Sequence, residues 1–246
     1  MAQFQRLAIA SHQRTAQTIQ LTSEQQHYLT RVLRLKEGDR FIAILDKGEW
    51  WLAQLQDALT EAQLIEPIAI ETEPPQPITL VAALPKGQGF DDVVRMVTEL
   101  GVTTLIPLLT ARTIANPSEQ KLERWRRIAT EAAEQSCRQI VPEILAPLSF
   151  TEALALAQSD RFASQRLFIC VTDNSSPNFL DVLRNAPKQG ILILVGPEGG
   201  WTPEEQTAAI AQGFTPVSLG HRVLRAITAS VTVIAVAATQ MDAQQP

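Results

Sequence analysis

From residue 78 onward, runs of apolar residues alternate with segments of helical periodicity, and this alternation limits the possible folds more than any other feature of the chain. The strand-like runs are "ITLVAAL", "TTLIPLL", "RLFICVT", "GILILVG" and "TPVSL". Between them lie "FDDVVRMVTELG", a long segment from Ser118 to Cys137, "NFLDVLRN", "PEEQTAAIAQG" and a final apolar helix. A strand that is apolar at every position is buried on both faces, and the amphipathic segments supply the two covers. The pattern therefore predicts an α/β domain built on a mainly parallel sheet. Ordinary connection rules alone give it a plain doubly wound topology.

The preceding residues follow a different pattern. "FQRLAIA", "QTIQL", "RFIAILD" and "EWWLAQLQD" read as short strands, with Lys47 and Gly48 turning between the last two. One helix interrupts them: Thr22 and Ser23 cap "EQQHYLTRVLRL", and Tyr28, Leu29, Val32 and Leu33 share a face. At "ETEPPQP", residues 71 to 77, three prolines end every periodic pattern. The boundary is placed there, giving a small β-rich domain over residues 1–72 and the α/β domain over 73–246.

At 246 residues and 45% hydrophobic content, the chain can fill real cores. The net charge of -5 means that any nucleic-acid surface has to be a local patch. Cys137 and Cys170 stand outside any CxxC or CxxH spacing, so neither a disulfide framework nor a metal site is expected, and a reducing cytoplasm is the expected home. The window "AITASVTVIAVAAT" is too short to span a bilayer comfortably and is expected to be a buried helix rather than a membrane anchor.

Open α/β sheets bind ligands beyond the carboxyl ends of their strands. Four stretches follow strands with unusual residues: "LPKGQG", "VTDNSSP", "VGPEGGW" and "LGHRVLRAIT". In the third, Gly196, Gly199 and Gly200 form a strand-to-helix loop stiffened by Pro197, and Thr202, Pro203 and two acids then open a helix. Bare glycines let a ligand touch backbone, although a tight turn needing them only for geometry has the same spacing. No GxxxxGK[ST] is present, and acids in the first helical turn repel a phosphate there. In the fourth stretch, Arg222 and Arg225 offer planar donor forks for phosphates or a base, or else pair with Glu198 or cap strand ends. Glu131, Gln135 and Arg138 make one stripe along the long helix, and Lys86 follows the first strand of the α/β domain.

Taken together, "HYLTRVLRLKEGD", "KGQGFDDVVRMVTELGVTTLIPL", "RWRRIATEAAEQSCR", "LVGPEGGWTPEE" and "VSLGHRVLRAITA" resemble the RsmE family. These are methyltransferases of the SPOUT class that act on N3 of a uridine in small-subunit (16S) ribosomal RNA. The resemblance runs over nearly the whole chain. It implies a PUA-like β-barrel followed by an α/β domain tied in a trefoil knot, with S-adenosyl-L-methionine as cofactor and a homodimer as the working unit. Val195, Gly196, Pro197, Glu198, Gly199 and Gly200 match one cofactor loop. Leu219, Gly220, Arg222, Val223 and Leu224 match a second, and Thr172 lies in the third wall.

Arg225 is the expected catalytic donor, with Glu198 as proton acceptor or as the partner that orients Arg225. RNA contacts are expected from Arg31, Arg34, Lys36 and Arg40 on the first domain, and from Lys86, Arg112 and Arg138 near the catalytic face. An assembled small subunit is the expected partner. The family often reads "LRTETA" where this chain reads "LRAITA", so Ala226 and Ile227 replace a hydroxyl and a carboxylate. Rival readings are a knotted methyltransferase for tRNA or another rRNA nucleotide, and a non-catalytic RNA-binding assembly factor.

Overall fold

The computed structural model describes residues 4–45, 49–56, 59–85, 87, 89–112, 117–173, 175–185 and 188–244. Lys47, Gly48 and Lys86 lie outside them. The chain forms two compact units, one comprising Met1–Glu73 with Ala133–Val141, the other Pro74–Ala132 with Pro142–Pro246.

The first unit is a six-stranded sheet. Its elements are β1 (Arg6–Ala8), β2 (Arg14–Thr15), β3 (Thr18–Gln20), helix α1 (Ser23–His27), β4 (Arg40–Ile44), β5 (Trp50–Leu55) and β6 (Glu61–Ile68). The strand order is β1-β4-β5-β6-β3-β2, antiparallel except for β1 beside β4. Alternate residues of β4 serve two cores. Phe41 and Ala43 face the main cluster with Leu7, Ile19, Leu29 and Leu55, while Ile42 and Ile44 join Trp50 in a second one.

Thr22 caps α1 as the sequence predicts: its hydroxyl accepts from Gln25 N at 3.2 Å and Gln25 Oε1 accepts from Thr22 N at 2.9 Å. The helix then departs from expectation, because Tyr28–Val32 is a π-helical turn in which Leu33 N donates to Tyr28 O at 3.0 Å. The wider turn rotates the expected apolar face apart. Leu29 is buried, but Val32 is 58% exposed.

Ala133–Val141 packs with the first unit, which no local pattern in the chain indicates. Ala8 N donates to Glu134 Oε1 at 2.6 Å, Thr72 Oγ1 donates to Cys137 O at 3.0 Å, and Cys137 packs on the second core.

The second unit contains β7 (Ile78–Ala83), α2 (Phe90–Glu99), β8 (Thr104–Leu109), α3 (Glu119–Gln135), β9 (Glu143–Ile144), β10 (Leu148–Ser149) and α4 (Phe150–Ala157). It continues with β11 (Arg166–Cys170), α5 (Phe179–Arg184), β12 (Ile191–Val195), α6 (Pro203–Ala211), β13 (Thr215–Val217) and α7 (Ala226–Asp242). The strand order is β10-β8-β7-β12-β11-β13, with β9 on β8, and every pairing is parallel.

All residues of β7 and β12 are buried, because helices cover both faces. On one side α7 packs on β7, β12, α2 and α5. On the other, Ala153, Leu154, Ala209 and Phe214 close over Val81, Ile106, Leu192 and Leu194. Each of the buried Val, Ile, Leu and Phe side chains among them contributes about 1.5–3 kcal/mol. After β12 the chain runs outward past β11 to β13, then returns with α7 to the centre of the sheet. The apolar window of α7 is core, with Val233, Ile234 and Ala237 fully buried.

Candidate active site

Three strands of the parallel sheet end at one place. Beyond β11, β12 and β13 lies a cleft of about 340 Å³ lined by Val171, Thr172, Gly196, Gly200, Leu219 and Leu224, among others. A smaller recess of about 110 Å³ at the amino ends of the strands, near Arg166 and Lys188, carries no comparable loops. Position at the carboxyl ends is what an α/β sheet uses for ligands.

The wall after β12 is built by exclusion of side chains. A Cβ on Gly196 would lie 2.9 Å from Trp201 Cε2, so the indole rests on bare backbone. Trp201 Nε1 donates to Cys170 O at 2.8 Å, which ties this wall to the end of β11. Gly200 has φ +71° and Gly220 φ +108°, and a Cβ on either would meet no heavy atom within 4 Å. Both walls therefore present an unfilled glycine face to the cleft, and both need glycine for its left-handed backbone.

Helix α6 begins at Thr202, whose hydroxyl accepts from Glu205 N at 3.2 Å, while Glu205 Oε2 accepts from Thr202 N at 2.9 Å. The helix start that the sequence suggested is thus occupied by its own carboxylates. Glu204 is held below the usual carboxylate range by hydrogen bonds from its own backbone N–H and from Thr202.

The wall after β13 hangs on Ser218. Its backbone N donates to Pro177 O at 2.9 Å, and its hydroxyl accepts from Gly220 N at 3.2 Å. In the third wall, Asp173 accepts from Ser175 N at 3.0 Å and from the Ser175 hydroxyl, which holds its carboxyl below the usual range. Burial pushes the Cys170 thiol up to about 12, although the residue as a whole is partly exposed where it borders the cleft.

Of the expected cofactor residues, Thr172, Val195, Gly196, Pro197, Gly199, Gly200, Leu219, Gly220, Arg222 and Leu224 line the cleft. Glu198 and Val223 do not, and Val223 is 81% exposed. Arg225 stands between Leu224 and Ala226 of the lining with its own side chain exposed, as the residue that opens α7. Trp201, Gln206 and Ala229 also line the cleft and were not picked out for it from sequence. The helical spacing from Ala226 to Ala229 was a usable signal; Gln206 gave none.

The expected RNA contacts separate. Arg31, Arg34, Lys36 and Arg40 are all exposed on the first unit. Arg138 is corrected: it is 2% exposed and ion-paired with Glu73, whose Oε1 also accepts from Gln139 N at 2.8 Å. A buried, paired guanidinium has no face left for a phosphate.

Residues 72–238 match the family of RNA methyltransferase domains, and residues 21–64 match the RNA methyltransferase PUA domain. The chain is 48% identical over 233 residues to ribosomal RNA small subunit methyltransferase E of Synechocystis, covering 94% of this chain and 76% of that protein. The chain belongs to the ribosomal RNA small subunit methyltransferase E family. The family member of Bacillus subtilis is 30% identical over 239 residues, 92% of each chain. The crystal structure of the Neisseria gonorrhoeae member, bound to S-adenosyl methionine, is 30% identical with a TM-score of 0.84 over 97% of both chains. The fold of this family member is accordingly a PUA-like domain followed by a SPOUT α/β knot. Its parallel sheet has the order β10-β8-β7-β12-β11-β13, which connection rules applied to the sequence do not supply.

Proposed function

We propose that the chain transfers a methyl group from S-adenosylmethionine to N3 of a uridine in 16S rRNA of the small ribosomal subunit. The observation that carries this reading is the cleft at the carboxyl ends of β11, β12 and β13, walled by glycine backbone and rimmed by Arg225.

The residues present fit the cofactor. It bears a sulfonium, an amino-acid tail and an adenosine but no phosphate, so acids at the start of α6 do not oppose it. The unfilled faces of Gly200 and Gly220 offer backbone to it, and Asp173, kept ionised by Ser175, places a carboxylate beside a cationic ligand. When bound, S-adenosylmethionine supplies an electrophilic methyl group.

The chain's own contribution is position and charge. Loops Val195–Gly200 and Leu219–Leu224 fix the donor through main-chain contacts, and a fixed methyl group lowers the entropic part of the barrier to its transfer. Uridine N3 loses a proton as it is methylated, and negative charge spreads onto the neighbouring carbonyl oxygens. The exposed Arg225 guanidinium donates to those oxygens, and Glu198, on the loop beside the cleft but outside its lining, serves as the proton acceptor or orients Arg225. Arg31, Arg34, Lys36 and Arg40 supply phosphate contacts, and two copies of the chain with an assembled small subunit form the working complex.

Mass mapping of small-subunit RNA from a strain lacking the gene tests the reading. Loss of N3-methyluridine, restored by the wild-type gene, is expected; survival of that mark in the deletion strain overturns it. A lost mark on tRNA or on another rRNA nucleotide instead favours the rival substrates.

A further inference from the structure

The turn after β8 grips the loop between β12 and α6 at two points, and the gripping residues Ala111 and Arg112 are themselves outside the cleft lining. Arg112 Nη1 donates to the carbonyl oxygen of Gly199. A Cβ on Gly199 would lie 2.9 Å from Arg112 Cδ and 3.5 Å from Nη1, so a side chain at residue 199 would push the arginine off the loop. One residue earlier, Ala111 N donates to Glu205 Oε1 at 3.1 Å, while the other oxygen of that carboxylate accepts from Thr202 N. Glu205 is only 8% exposed, so the second grip is a buried carboxylate shared between two backbone donors. Between the grips stand Gly200 and Trp201, both of which line the cleft.

We propose that Arg112 is a positioning residue for the cofactor loop and not a contact to RNA phosphate. The inference rests on the cleft being the S-adenosylmethionine site. Gly199 and Gly200 have no side chains with which to anchor their own peptides, and ordering glycine backbone costs more entropy than ordering any other residue. A charge-assisted hydrogen bond to Gly199 O meets that cost before the cofactor arrives. Glu205 fixes the far end, so the segment is held at both ends by one neighbouring turn. Lysine at position 112 keeps the charge but offers no planar fork along the loop.

Calorimetric titration with S-adenosylmethionine, paired with the salt dependence of RNA binding, separates the two roles. Arg112→Ala is expected to weaken cofactor binding about tenfold and Arg112→Lys to recover only part of it, while the slope of log affinity for RNA against log salt stays as in the wild type. Gly199→Ala, which displaces the arginine from the other side, weakens cofactor binding, and its loss combines with that of Arg112→Ala less than additively, the remainder acting on the cleft lining itself. An unchanged cofactor affinity in Arg112→Ala overturns the proposal, as do additive losses in the double variant. A salt slope shallower by about 0.7–0.9, the value of one phosphate contact, also overturns it. Failure of the wild type itself to bind S-adenosylmethionine instead rejects the reading of the cleft.

Discussion

Trp201 donates its indole Nε1 hydrogen to the main-chain carbonyl of Cys170 across 31 residues, at 2.8 Å. The bond joins the loop after β12 to the end of β11, and the ring lies over Gly196 with Phe150 at 5.5 Å between ring centroids. One side chain therefore sets the spacing of two cleft walls. Trp201→Phe keeps the ring contacts and loses one hydrogen bond, a cost of about 1 kcal/mol. Trp201→Ala removes the ring and costs about 3 kcal/mol or more. Urea unfolding followed by circular dichroism is expected to rank the two in that order.

Arg225 is exposed at the start of α7 and does not line the cleft, whereas its neighbours Leu224 and Ala226 do. Arg225→Ala is expected to leave S-adenosylmethionine binding within about twofold of the wild type while lowering turnover about 10²–10³-fold, the scale of a lost preorganised donor. Calorimetry and single-turnover methylation of small-subunit particles measure the two effects separately. Unchanged turnover would remove Arg225 from the chemistry.

The four exposed cations of the first unit and the buried Arg138 have opposite expected phenotypes. Each of Arg31→Gln, Arg34→Gln, Lys36→Gln and Arg40→Gln reduces the salt slope of RNA binding by about 0.7–0.9 with little change in stability. Arg138→Gln leaves the half-buried Glu73 without its ion pair and costs about 3 kcal/mol, with the salt slope unaltered. Filter binding over a salt series, alongside thermal unfolding, distinguishes them.

Ile227, in the first turn of α7, leans on Gly89 at the start of α2. A Cβ on Gly89 would overlap Ile227 Cδ1 and stand 3.7 Å from Pro85 Cγ. Gly89 has φ -64° and ψ -10°, which alanine adopts freely, so Gly89→Ala adds no backbone strain and its main effect is steric. A cost of about 1–3 kcal/mol is expected. Ile227→Val deletes the overlapping methyl and should recover most of it in the double variant, as read by chemical denaturation.

Burial raises the Cys170 thiol to about 12, so its folded form carries very little thiolate at neutral pH. At pH 8 only about one thiol in ten thousand is then ionised, and the thiolate is the nucleophile. Iodoacetamide is expected to leave Cys170 unmodified in the folded protein at pH 8 and to label it in urea. Peptide mass analysis reads both states. Labelling should accelerate as pH rises toward 12, because this group is stabilised in its neutral form and ionises only there.

Elements defined by neighbours a few residues apart are legible in the chain. Thr22 and Thr202 cap their helices where the sequence places caps, because an N-cap needs only its own hydroxyl and the N–H three residues on. The glycine loop after "ILILV" is visible for the same reason. The apolar face expected from Tyr28 to Leu33 assumed 3.6 residues per turn, and the π-helical turn exposed Val32 instead. In the α3 segment, periodicity marked Arg138 as part of a stripe but carried no trace of Glu73, 65 residues earlier, which buries it.

The sequence by itself determined the β-rich first part, the parallel α/β second part, the glycine walls and, through five ordered segments, the family. These follow from apolar periodicity, caps and turn residues, whose energies are settled within a few neighbouring positions. Tertiary structure alone decided that β12 lies beside β7 and that Ala133–Val141 packs with the first unit. It also turned the acid at the start of α6 inward to hold Ala111 and set Arg112 on Gly199. Those contacts join residues 87 to 126 positions apart in the cases of Gly199 with Arg112 and Ala8 with Glu134, and such pairs exist only once the long loops between them have closed.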